Sequence, residues 1–120
     1  METTIFDIHR RARIYLAQDA ENSIYTWDGH VVACIDGEQV FGWRGLHIGW
    51  FVEGVLYDCK GFRIGFLAEN FTDPTFPDPG KYAKYTKPRR YPRLTVQARP
   101  EFSEGNSNAD LEKFIRQNAP

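Results

Sequence analysis

Apolar residues recur along the first half of the chain at a spacing of 16. Three twelve-residue windows carry the pattern: IYTWDGHVVACI from Ile24, VFGWRGLHIGWF from Val40 and LYDCKGFRIGFL from Leu56. With each window numbered 1 to 12, positions 1 and 2 open it with an apolar pair or an apolar-aromatic pair. Positions 5 and 6 are x-Gly, position 9 is branched and apolar, and position 10 is Ala or Gly. A degenerate copy lies upstream as IFDIHRRARIYL from Ile5, with His9-Arg10 where the others have x-Gly. A fixed internal period of this kind signals one supersecondary unit used several times.

Each unit reads as a β-hairpin. Asp28-Gly29, Arg44-Gly45 and Lys60-Gly61 interrupt runs rich in β-branched and aromatic residues, and glycine supplies the positive φ of a two-residue primed turn. That turn predicts pairing of positions 4 with 7 and 2 with 9, all on one face. The face holds Tyr25, Trp27, His30, Val32 and Cys34, then Phe41, Trp43, Leu46, Ile48 and Trp50, then Tyr57, Cys59, Phe62, Ile64 and Phe66. Almost wholly apolar, it is expected to be the core face. On the other face, Ala33, Gly49 and Gly65 recur at position 10, which marks a bulge or a close backbone approach near a common axis. A lone hairpin is marginal in water, so four hairpins on short connectors are expected to bury one another as eight strands with approximate four-fold symmetry.

The run from Ile24 to Leu67, with its x-Gly turns, the Gly49-Trp50-Phe51 string and the Asp58 unit, resembles the bacterial four-fold β-flower domain family. The tail fits as well, with a proline and basic stretch from Lys87 to Pro100 and a short amphipathic end from Asp110 to Ile115. The resemblance spans nearly the whole chain and implies an all-β fold. It brings no established activity and no catalytic residue.

Past Leu67 the period is lost, which divides one domain into a four-hairpin region at 1–72 and a tail at 73–120. Asp73-Pro74, Phe76-Pro77 and Asp78-Pro79-Gly80 make a turn-rich connector, and Pro88, Pro92 and Pro100 favour extended backbone beyond it. Arg93 to Ala98 alternates like an edge strand. Leu111, Phe114 and Ile115 give a short helix one apolar stripe, with Ser107 as its capping signal; so short a helix must dock on something.

Charge changes the picture of the tail. Residues 1–80 carry 6 basic and 12 acidic groups, whereas residues 81–100 carry 7 basic groups and no acid. The stretch with Lys87, Arg89, Arg90, Tyr91 and Arg93 is therefore a candidate partner contact, for an unknown protein or, as a second choice, for nucleic acid. An acidic body is also a ready intramolecular partner for it. The start of the chain has no signal-like segment and no run is long enough to span a membrane, so cytoplasmic residence is expected.

No cofactor or metal motif stands out. Cys34 and Cys59 have neither disulfide-scaffold nor metal-knuckle spacing, and the histidines share no repeat position. His47, Asp58 and Arg63 are a candidate axial ligand site near Gly49 and Gly65, with Asp58 and Arg63 placed for a cross-strand ion pair. Trp27, Trp43 and Trp50 read as core, or as a dimer or partner face if uncovered. The leading functional expectation is a non-enzymatic binding or assembly module, homo-oligomers included; an axial enzyme or ligand site is the alternative, and nucleic-acid binding the second.

Overall fold

The computed structural model describes residues 2–120; Met1, which opens the 1–72 region, lies outside the described residues. Eight antiparallel strands pair in sequence order and close into a barrel: β1 (Thr3–Phe6), β2 (Ala12–Leu16), β3 (Ser23–Thr26), β4 (Val31–Asp36), β5 (Gln39–Gly42), β6 (His47–Val52), β7 (Val55–Asp58) and β8 (Arg63–Phe66). Each repeat copy forms one hairpin. A short 3-10 turn, Ala68–Asn70, leaves β8, and one helix, α1 (Leu111–Arg116), comes near the end. The predicted edge strand at Arg93–Ala98 does not form; that segment is extended without sheet pairing. Among the described residues no helix is long and apolar enough to cross a membrane.

The hairpin tips are one residue longer than a primed turn. Position 6 donates to the position 3 carbonyl and position 3 donates to position 7, as in Gly29 to Thr26 (3.0 Å) and Thr26 to His30 (3.0 Å). Such a three-residue loop needs a left-handed residue at position 6, where Gly29, Gly45 and Gly61 have φ of 93°, 97° and 87°. Both turn types place glycine after x, so the dipeptide alone does not separate them. In the first copy Arg10 holds the same place at φ 63°.

That extra residue corrects the predicted faces. Position 2 pairs with 8 (Tyr25 with Val31, Phe41 with His47, Tyr57 with Arg63), while position 1 pairs with 10 (Ile24 with Ala33, Val40 with Gly49, Leu56 with Gly65). Position 9 is left as the extra residue of a bulge. The interior collects positions 1, 9 and 10, with Ile5, Ile14, Ile24, Val40, Ile48 and Leu56 all fully buried. Of the predicted core face only Val32, Ile48 and Ile64 lie in this cluster. Tyr25, Cys34, Phe41 and Trp43 join Tyr15 in a second cluster on the outside of the barrel, and His30, Leu46 and Phe62 stand exposed at the tips. Small residues recur at position 10 because a Cβ on Gly49 would strike the Tyr57 carbonyl and one on Gly65 would lie 3.1 Å from Ile5.

At the tip end α1 plugs the barrel. Leu111 and Ile115 are fully buried in the interior cluster and Phe114 packs against it. The cap is Asp110, which accepts from the Lys113 N–H at 3.0 Å, in place of the expected Ser107. The plug also completes the third hairpin. Asp7 and Asp58 accept tip amides in the first and fourth copies, but the third has Gly42 there. Asn118 substitutes: its side chain accepts from the Leu46 N–H at 3.0 Å and its carbonyl from the Arg44 N–H at 3.2 Å.

Candidate interaction surface

Residues 73–108 form a strap that encircles the barrel once, with a period of nine. The N–H groups of Phe76, Tyr85, Leu94 and Ser103 donate to the position 6 carbonyls of Arg10, Gly29, Gly45 and Gly61, at 2.9, 3.0, 2.8 and 2.9 Å. Two residues before each of the last three stations, the carbonyls of Ala83, Pro92 and Glu101 sit where a Cβ on Gly29, Gly45 or Gly61 would be. One residue before them, Lys84 lies over Tyr25 (5.4 Å), Arg93 over Phe41 (5.1 Å) and Phe102 against Tyr57 (4.0 Å). Nine residues of extended chain span about 28 Å, so four spans reach about 110 Å, the circumference of a body 38 × 36 Å across. The strap length is thus matched to the barrel.

Most of the strap's charge is used in docking. Lys81 and Lys84 pair with Glu2, Lys87 with Asp19 (2.9 Å) and Glu21 (2.5 Å), Arg93 with Asp36 (2.5 Å), and Arg99 with Glu38 (3.1 Å). Burial raises the Asp19 pKa, but Lys87 and the Ser23 hydrogen bonds outweigh it and hold the carboxyl at about 2. Arg90 points its guanidinium at Cys34 Sγ (3.6 Å), and Arg44 lies over the Tyr91 ring. Of the five tail residues singled out from sequence, Arg89 alone has no such partner among the described residues.

His47, Asp58 and Arg63 do not converge on the axis. The axis is filled by the aliphatic interior, and each of the three has other partners. Asp58 caps its own hairpin tip, and Arg63 donates to the Glu104 carbonyl, where the tail's Asn106 forms a bridge with it, so the predicted Asp58–Arg63 ion pair is absent. His47 sits on the outer wall beneath the strap, 5.3 Å from Phe41 and 4.5 Å from Trp50. Its Nδ1 accepts from the Gln97 N–H at 2.9 Å, the Gln97 side chain donates to the His47 carbonyl at 3.0 Å, and burial lowers its pKa. Among the described residues no group of three or more side chains could hold a metal ion.

The pairing of four hairpins, three of them glycine-tipped, with a proline-rich encircling tail fits the family model described as 4-fold beta flower protein, which matches residues 3–115. The chain belongs to that family. No curated protein and no solved structure matches it. The family description names an architecture, so function has to be sought on what the flower leaves uncovered.

That surface is the tip end. Ile8, Leu46 and Phe62 on the hairpins are 37–41 % exposed, and Phe76, Tyr85 and Leu94 at the strap stations are 53–59 % exposed. His30 stacks on Tyr85 with ring centroids 4.3 Å apart. Apolar side chains therefore stand at all four tips. The period-16 pattern contains these tip residues, but the misread turn assigned Leu46, Phe62 and His30 to the core.

Proposed function

We propose that this β-flower chain is an interaction module whose contact face is the ring of hairpin tips. The observation that carries the reading is the recurrence of solvent-facing apolar side chains at four equivalent tips, since exposed apolar residues gathered on one side of a molecule and rimmed by polar ones mark interaction sites. The barrel, strap and plug act as scaffold: the strap fixes each tip through a main-chain bond and fills the space beside the turn glycine. The same docking argues against the tail as a nucleic-acid strip. Five of its seven cations already face carboxylates, and phosphate binding depends on free ones.

The test is photo-crosslinking of the full chain in its native host, with the reactive residue at Leu94 on the tip face or at Glu53 on the opposite end. Discrete protein adducts from position 94 and none from position 53 are expected. Equal labelling from both ends, or none from the tips, overturns the reading.

A further inference from the structure

The tip face has the features of a surface that binds its own copy, an inference that rests on the tip-face reading and names the partner. Strands of four to six residues rise about 13–20 Å, so the 22 Å dimension of the molecule lies along the barrel axis and the tips form one broad side of a disc. A side 38 × 36 Å across offers on the order of 1,000 Å², enough for the roughly 800 Å² per partner of a standard interface.

Both halves of a self-complementary contact stand beside the tips. Phe62, exposed at the fourth tip, is a knob. Beside the second tip, a cleft of about 450 Å³ is walled by Trp27, Pro79, Gly80 and Tyr82, with Asp28 at its edge. An isologous pair requires that residue i meet j while j meets i. An in-plane two-fold axis through the first and third hairpins satisfies this, because it lays the fourth hairpin of one copy over the second hairpin of the other. Phe62 then faces the Trp27–Tyr82 cleft twice, and Lys60 beside it approaches the Asp28 carboxylate, which Arg116 of its own chain also pairs with at 3.3 Å. Leu46 meets its own counterpart on the axis. The opposite end suits no such pairing: Glu53 and Glu69 have no ion-pair partner there among the described residues and would face their own kind.

We propose that two copies of this chain dock tip face to tip face, with Phe62 of each seated in the Trp27–Tyr82 cleft of the other. Sedimentation velocity with light scattering on the full chain, run up to about 200 µM, is expected to show a monomer–dimer equilibrium with a blue shift of tryptophan emission as dimer forms. Phe62→Glu should weaken the dimer at least about tenfold, and Lys60→Glu, which touches no packing, should weaken it less; Glu53→Lys should leave it unchanged. A monomer at every concentration, or a dimer indifferent to both tip substitutions, overturns the inference. If the chain is monomeric while position 94 still crosslinks to other proteins, only the second copy is excluded and the tip-face reading stands.

Discussion

Barrel and strap wind around the same axis, but they are held by different forces. The barrel has ladders between consecutive strands and an aliphatic interior, and its weakest join is the single Phe6–Phe66 pair between β1 and β8, covered by Phe71. The strap forms no strand beyond the isolated Arg63–Asn106 bridge. It is held by main-chain bonds at every tip, with Tyr82 on Trp27, Tyr91 on Trp43 and Ser107 on Arg63 adding to the four stations, by cations over aromatic rings and by ion pairs with the connector loops. The outer aromatics Tyr15, Tyr25, Phe41 and Trp43 lie beneath Lys81, Lys84, Lys87 and Arg93 of the strap, so the barrel is expected to need the strap to complete its burial.

Removing the strap should therefore have the largest effect. A chain ending at Gly80 loses the plug residues Leu111 and Ile115 and uncovers the aromatic belt, and is expected to aggregate and to lose its cooperative thermal transition by circular dichroism. A cooperative, monomeric truncated chain would show that the barrel stands alone. Next in size comes the plug. Ile115→Ala, at a fully buried site, should cost about 3 kcal/mol in denaturant unfolding, whereas Leu94→Ala on the outside of the strap should stay within about 0.5 kcal/mol.

The two regions also differ in how far the sequence discloses them. The hairpin period is legible because position 1 faces the interior and is apolar in every copy, so Ile5, Ile24, Val40 and Leu56 betray it. Strap stations bind through backbone, leaving side chains free to vary: Phe76, Tyr85, Leu94 and Ser103 share a place in space and no chemistry. Only the spacing of Lys84 and Arg93, both over position 2 aromatics, hints at nine. The candidate site was half visible for a related reason. Leu46 and Phe62 are apolar, and a one-residue difference in turn length decides whether such residues are core or contact face. His47 was singled out for an axis it does not reach, because the same difference turns position 8 outward.

Turn glycines separate strap docking from backbone conformation. Gly45→Ala must adopt φ 97° and also displace the Pro92 carbonyl, and is expected to cost about 2–3 kcal/mol. Gly37 has a positive φ of 62°, within the left-handed region, and nothing within 4 Å of a new Cβ, so Gly37→Ala should cost about 1 kcal/mol. Equal losses at the two sites would mean that the strap contributes nothing at the tip.

The third strap span adds a proton-sensitive fastening. His47 Nδ1 can accept from Gln97 only while unprotonated, and Nε2 is buried without a partner among the described residues. Its folded pKa lies below the unfolded value, so the unfolded chain binds more protons in the window below about 6.5. Stability should therefore fall as pH drops through that window, and His47→Gln should remove the slope. Arg93 and Arg99 flank the same strap segment and pair with Asp36 and Glu38.

The smallest effects come from the ion pairs, where Lys87 and Arg89 can be compared two residues apart. Lys87→Gln leaves Asp19 and Glu21 facing each other in a half-buried site and should cost about 1–2 kcal/mol. Arg89→Gln, on an exposed residue with no ion pair, should stay within about 0.5 kcal/mol. The distinction sharpens in acid. Asp19 titrates at about 2 in the folded protein against 3.8 unperturbed, so its contribution is complete above about 4 and is lost as pH falls toward 2. That acid limb should be shallower in Lys87→Gln and unaltered in Arg89→Gln; an identical limb in both would show that the connector loops hold their charge without the strap.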